Sequence, residues 1–198
     1  MQFVKADAVD FDVRSQITRV FVTGFYEWLC GFVNDRTKLE QLFNHMFILS
    51  RFYVAIEGDK VAAMAGYTFD GRPPVQLERY IFVRVLGFIR GHFLFCKVRR
   101  HMAREGYPFP MNKNTASIEF VASAVDFRRR GAAAGLLSYM MEDLPHETYI
   151  LEVADTNKNA RALYEKLGFR EFKREKAPRK SGVNSFIYMR FVRELPPS

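Results

Sequence analysis

The sequence predicts a mixed α/β fold, with helices flanking a central, largely antiparallel sheet. Three observations predict it. Apolar residues recur at three- and four-residue spacing over 11–33 and 36–47, two apolar runs meet across Glu57-Gly58-Asp59-Lys60, and strand-like and helix-like segments alternate over 116–167. The first is the signature of helices with one buried stripe, the second of a strand hairpin, the third of a βαβα unit. With 198 residues and no linker-like stretch, the chain reads as a single domain over 1–198.

Taken in order, Val13, Ile17, Val20, Phe21, Phe25, Leu29 and Phe32 form the stripe of a first helix, which Asn34 and Asp35 interrupt. Leu39, Leu42, Phe43 and Phe47 form that of a second. The segments from Arg51 to Ile56 and from Val61 to Phe69 read as the paired strands. Over 75–105, Leu77, Ile81, Val85, Phe88 and His92 fall at helical intervals, so one long or two shorter helices are expected, with Gly87 and Gly91 as candidate breaks. Most of Phe82, Phe88, Phe93 and Phe95 are expected to pack as a satellite core. Ala116–Ser123 reads as a buried strand, followed by a basic glycine turn and the helix-prone run AAAGLLSYMMEDL. Tyr149–Ala154 is a further strand, Asn157 opens a helix that stops at Gly168, and 169–175 and 185–193 supply two last strands around the polar loop KAPRKSGVN.

Composition narrows the function. At 48% hydrophobic and 26% charged, with 12 Gly and 8 Pro, the chain is neither disordered nor collagen-like. Cys30 and Cys96 make no disulfide framework, and no Cys/His spacing suggests a metal. The start MQFVKADAVDFDV is acidic where a secretory signal would be apolar, and no uncharged apolar run reaches spanning length, so a soluble cytoplasmic protein without a membrane partner is expected. The net charge of +8 points to an anionic partner. Much of it sits over 69–115, where nine Lys or Arg face three acids, and in Arg128-Arg129-Arg130.

Two segments carry candidate chemistry. Arg128-x-x-Gly131-x-Ala133 leads straight into a helix, whose first N–H groups and positive dipole end suit a phosphate if small residues let it approach. A solvated basic turn fits the same six residues. Downstream, Asn157, Ala160, Leu163, Tyr164 and Leu167 share a helix face, which puts an amide, a methyl and a phenol along one wall. A half-buried tyrosine with a surface partner fits that segment too.

Together, RRRGAAAGLL and LEVADTNKNARALYEKLGF, in this order and at this distance, resemble the GNAT superfamily of acetyl-CoA-dependent N-acetyltransferases. The resemblance is specific over about 116–170, compatible over 11–69 and 171–193, and absent over 70–115, which is therefore expected to be a helical insertion in a GNAT-like fold. It implies that Arg128, Gly131 and Ala133, with the intervening Arg129, Arg130 and Ala132 and the adjoining Ala134, receive the pyrophosphate of acetyl-CoA. It also implies that Val121, Ala122 and Ser123 run beside the pantetheine arm, that Asn157 orients the cofactor, and that Tyr164 protonates the leaving thiolate. Ala133 stands where glycine is commoner, and Val125-Asp126 where a turn former often precedes the motif.

Transfer to an amine requires a neutral amine, and an alkylamine of pKa ~10.4 is neutral about once in ~10³ molecules at pH 7. Strand alternation puts 117, 119, 121 and 123 on one face, and Glu119 is the only carboxylate among them. It is the candidate general base, directly or through water; pairing with one of the chain's many arginines, those of the insert included, is the plainer reading. A main-chain N–H near Ser123 is the candidate for polarising the thioester carbonyl. No metal site is expected. The expected acceptor is an amine on a small molecule or peptide, with a homodimer as an option. A nucleic-acid-associated protein with a vestigial or regulatory acyl-CoA site, and transfer of longer acyl chains, are the alternatives.

Overall fold

A computed structural model describes residues 1–102, 107, 109, 111–177 and 182–193, without the side chain of residue 101. Arg104 and Glu105 of the basic stretch, and residues 178–181 of the last loop, lie outside the described residues.

Seven strands form one sheet: β1 (Gln2–Lys5), β2 (Phe52–Glu57), β3 (Lys60–Thr68), β4 (Thr115–Ser123), β5 (Thr148–Ala154), β6 (Arg170–Lys176) and β7 (Ser185–Val192). The spatial order is β1-β2-β3-β4-β5-β7-β6. Only the central pair β4/β5 is parallel; every other neighbour is antiparallel. The expected architecture and the β2–β3 hairpin are present. β1 has no counterpart among the expected elements, because four residues with one alternation carry too little pattern; its position at the sheet edge comes from pairing Gln2–Lys5 with Tyr53–Ile56.

Helices cover both faces. On one lie α1 (Val13–Gly24), the short α2 (Tyr26–Leu29), α3 (Arg36–Phe43), α4 (Arg79–Leu86) and α5 (Phe88–Met102), which share a core with Val54, Met64 and Ala122 of the sheet. Asp12 and Asp35 cap α1 and α3, accepting from the N–H groups of Ser15 and Lys38 at 3.1 Å, and so satisfy donors that a helix start leaves open. The helix expected over 11–33 is broken at Phe25 (φ −109°, ψ 15°), whose ring packs on Phe21 and Phe120.

On the other face lie α6 (Ala132–Asp143) and α7 (Lys158–Lys166), packed on Tyr53, Ala63, Ile118, Leu151 and Ile187. The helices expected over 75–105 form the α4–α5 hairpin. Gly87 at φ 80° ends α4, so the stripe from Leu77 to His92 does not continue through one helix. Gly91 lets the two helices close, since a Cβ there would meet the backbone of Phe82 and Val83. Phe82 is buried and Phe95 partly so, but Phe88 and Phe93 are exposed, which corrects the satellite-core expectation for those two.

Candidate active site

The site begins with a defect in strand pairing. Met64 faces Ala122 and Gly66 faces Glu119, so β3 advances two residues where β4 advances three. The extra residue makes a β-bulge, and Phe120 sits in it at φ 54°, a conformation that bulky residues adopt only where surrounding packing enforces it. Its ring is held by Phe21, Phe25 and Phe52.

Two consequences follow. Alternation fails at the bulge, so Glu119 and Phe120 lie on the α1 side, Val121 packs on the α6 side, and Ala122 returns to the α1 side. The single face expected for 117, 119, 121 and 123 is therefore broken after Glu119. The bulge also turns β4 away from β5. Parallel pairing joins only Thr115–Ile118 to Thr148–Leu151, although β4 continues to Ser123 and β5 to Ala154. A wedge opens between residues 119–123 and 152–154, edged by main-chain groups with no strand across from them. The Ala124 N–H donates to the Ala62 carbonyl on β3 at 2.9 Å. By antiparallel alternation, Ser123 points its own N–H away from β3 and into the wedge, whereas Ala122, opposite Met64, is turned toward β3.

At the end of β4 the chain turns into α6. Arg129 (φ 59°) and Gly131 (φ 81°, ψ 2°) both take left-handed backbone, and Gly131 is the N-cap without any capping side chain. The Arg128 N–H donates to the Val125 carbonyl and the Gly135 N–H to the Gly131 carbonyl. Between them, the N–H groups of Arg129, Arg130, Gly131, Ala132, Ala133 and Ala134 have no acceptor among the described residues. A Cβ built on Gly131 would meet nothing within 4 Å, so the space over the turn is open. Arg130 is engaged elsewhere, bonded to Glu57 at 2.9 Å and lying over the Phe127 ring. Arg128 and Arg129 are exposed and form no ion pair among the described residues.

On α7, Asn157 Oδ1 accepts from the Ala160 N–H at 3.1 Å, so this amide caps the helix before it can do anything else. Tyr164 is buried beside Phe169 in the cluster that also contains Val121, and burial pushes its phenol pKa up. Its hydroxyl has no hydrogen-bond partner among the described residues.

Glu119 is held by Tyr107, whose hydroxyl donates to Oε1 at 3.1 Å and also hydrogen-bonds Ser117. Burial raises the Glu119 pKa; hydrogen bonds from Tyr107, Thr68 and Ser117 act in the opposite direction, and the Glu152 carboxylate adds to the rise. Its hydrogen-bond partners are thus hydroxyls and not an arginine. Tyr107 was not legible as a site residue. A buried carboxylate demands donors, but nothing local singles out this tyrosine among nine. Chemically, the wedge can accept an extended amide-bearing chain by strand-like bonding, the turn can accept an anion, and the shifted carboxyl can take a proton.

The sequence model described as "Acetyltransferase (GNAT) family" matches residues 22–169. The chain belongs to the GNAT acetyltransferase family. Members of the GNAT family generally use acetyl-CoA as co-substrate. No curated protein matches the sequence. Solved structures share the GNAT fold. The ribosomal-protein-S18-alanine N-acetyltransferase from Escherichia coli superimposes with a TM-score of 0.56 at 14% identity, covering 99% of this chain and 96% of that one. An N-acetyltransferase from Staphylococcus aureus gives 0.59 at 17%, covering 96% and 100%. A GNAT acetyltransferase from Bacillus cereus gives 0.57 at 12%, covering 98% of each.

Proposed function

We propose that this GNAT member, acting as one unit over 1–198, moves the acetyl group of acetyl-CoA to a primary amine of a small molecule or peptide by direct attack on the thioester. The observation that carries the reading is the run of unpartnered N–H groups over 129–134 at the foot of an unpaired strand edge. A diphosphate on that turn would be bonded by main-chain donors and the α6 dipole, with Arg128 and Arg129 free to add charge. The pantetheine arm would then lie along 121–123, where the Ser123 N–H is the donor turned toward the thioester.

In the transfer, the amine nitrogen forms a bond to the thioester carbon, and the carbonyl oxygen takes up negative charge that the Ser123 N–H stabilises. Glu119 receives the amine proton, directly or through a water, and its raised pKa suits that acceptance. The carbon–sulfur bond breaks as Tyr164 donates its hydroxyl proton to sulfur; its own raised pKa keeps that proton in place until the thiolate forms. Asn157 contributes by fixing the start of α7, and hence the position of Tyr164 two turns later.

The test is thiol release from acetyl-CoA across a panel of polyamines, amino acids, aminoglycosides and peptides, repeated with longer acyl-CoA thioesters. The expected result is amine-dependent release that is fastest with the acetyl thioester. Binding of CoA without amine-dependent release from any thioester would overturn the enzymatic reading, and preference for a longer chain would overturn the acetyl assignment.

A further inference from the structure

The α4–α5 hairpin has a satisfied inner face and an unsatisfied outer one. Inside, Phe82 is fully buried against Phe43 and Phe95, and Leu94, Val98 and Met102 join the same core. Outside, Tyr80, Phe88, Ile89 and Phe93 are 60%, 77%, 81% and 68% exposed. With Val83 they line one groove of about 960 Å³. Isolated exposed apolar residues are ordinary, but three adjoining rings and an isoleucine at one helix junction form a surface that needs a partner.

The charge around that surface decides which partner. Residues 79–102 contain Arg79, Arg84, Arg90, Lys97, Arg99 and Arg100 and no aspartate or glutamate. None of the six has an acidic partner among the described residues. A second copy of the chain would bring six like charges against six with no acid to offset them. A nucleic acid would suit the cations, but Ile89, the most exposed of the four, gives no ring for a base to stack on, and the apolar residues line one continuous groove instead of separate platforms. An anionic lipid surface satisfies both components together: the apolar residues enter the headgroup boundary, and the flexible cations reach the phosphates with their stems lying on the apolar surface.

We propose that the outer face of the α4–α5 hairpin, centred on Phe88 and Ile89, with Arg79 in the groove wall and the exposed Arg84 and Arg90 on the same two helices, docks the protein on an anionic lipid bilayer. This revises the expectation of no membrane partner, which rests on the lack of a spanning segment. Among the described residues no helix is long and apolar enough to cross a membrane. Docking needs only an exposed amphipathic face. The hairpin packs on the α1 side of the sheet and α6 on the other, so the α6 turn stays accessible to a soluble carrier while the hairpin is docked.

The experiment is co-sedimentation of the full chain with vesicles of phosphatidylcholine alone, and of phosphatidylcholine mixed with phosphatidylglycerol. Binding is expected on the mixed vesicles, at least about tenfold weaker on the neutral ones, and weakened by salt. The double variant Phe88→Ser/Ile89→Ser, whose side chains contribute little to the core, is expected to keep its melting temperature and lose binding by more than about tenfold. Arg84→Gln and Arg90→Gln are each expected to weaken it about fivefold. No binding to anionic vesicles, equal binding to both kinds, or unchanged binding by the double serine variant overturns the proposal. So does a dimer that the double variant dissolves, or a shift of single-stranded RNA that it abolishes while vesicles go unbound.

Discussion

The β4–α6–β5–α7 half of the molecule and the α4–α5 insert are built on different kinds of information. In the first, local residues dictate the geometry: Gly131 takes a left-handed turn, three alanines leave the helix start uncovered, and Asn157 caps α7. In the second, helical periodicity is present but does not say which side faces inward, because rings lie on both sides of α4 and α5. A motif set by backbone conformation can be read from a short string of residues, whereas a surface defined by what it lacks becomes visible only once the fold is known.

Glu119 belongs to the first region, on β4, held by Tyr107 from the stretch between α5 and β4, and its removal should have the largest effect. Glu119→Gln is expected to lower kcat/KM by about 10²- to 10⁴-fold, the usual contribution of a positioned base. The pH profile sharpens the point. Because burial raises its pKa, the ascending limb from Glu119 should lie above the ordinary carboxylate range, with rate rising as pH climbs through it. In the glutamine variant that limb should vanish, leaving only the rise from deprotonation of the amine itself; an unchanged limb would remove Glu119 from the reaction. Gly131→Val ranks next. The left-handed φ of 81° costs a β-branched residue ~1–2 kcal/mol in the folded chain, and its methyls would occupy the open space over the turn. CoA affinity measured by calorimetry is expected to fall about ten- to a hundredfold, more than in Gly131→Ala, which carries the strain with less bulk.

Much of the fold was readable for the same local reasons. The hairpin at 57–60, the start of α7 at Asn157, and the stop at Gly168 each follow from residues at fixed offsets. The bulge at Phe120 was not readable, since nothing in IEFVAS marks a departure from alternation; packing of Phe120 among Phe21, Phe25 and Phe52 makes it. That one departure separates Val121 from the face of Glu119 and opens the wedge. Tyr107 escaped for a related reason: its link to Glu119 is tertiary, between the insert and β4.

Two phenols break the comparison more finely. Tyr164→Phe is expected to lower kcat about tenfold while leaving CoA affinity within about twofold, because the ring packs in the core and only the unpartnered hydroxyl is lost. Equal kcat in the two proteins would exclude it as the acid. In the proposed mechanism Tyr107 acts through Glu119, as a positioning residue. Its hydrogen bond stabilises the ionised carboxylate, so Tyr107→Phe should move the ascending limb to higher pH with only a few-fold loss at the plateau. A purely structural role would lower the plateau without moving the limb.

The smallest expected effect concerns the join between the insert and the rest of the chain. His45 follows α3, and its Nε2 accepts from the Glu78 N–H at the start of α4 at 2.9 Å, which places the ring proton on Nδ1, buried without an acceptor. Burial lowers its pKa from the usual 6.5, with the charge of Glu78 opposing. The unfolded chain therefore takes up this proton as pH falls through about 6.5 while the folded chain resists. Stability from this group is complete above that pH and declines below it, until the folded pKa is reached. His146 is lowered in the same direction and adds to the same window, whereas carboxylates such as Asp143 and Glu171, whose pKa values are lowered, give up their contributions only at more acidic pH. His45→Gln keeps an acceptor for the Glu78 N–H but cannot titrate, so the fall in melting temperature from pH 7 to 5 should shrink while the value at pH 7 changes little. An equal fall in both proteins would mean that the α3–α4 join does not sense protonation, and that the acid sensitivity of the fold lies elsewhere.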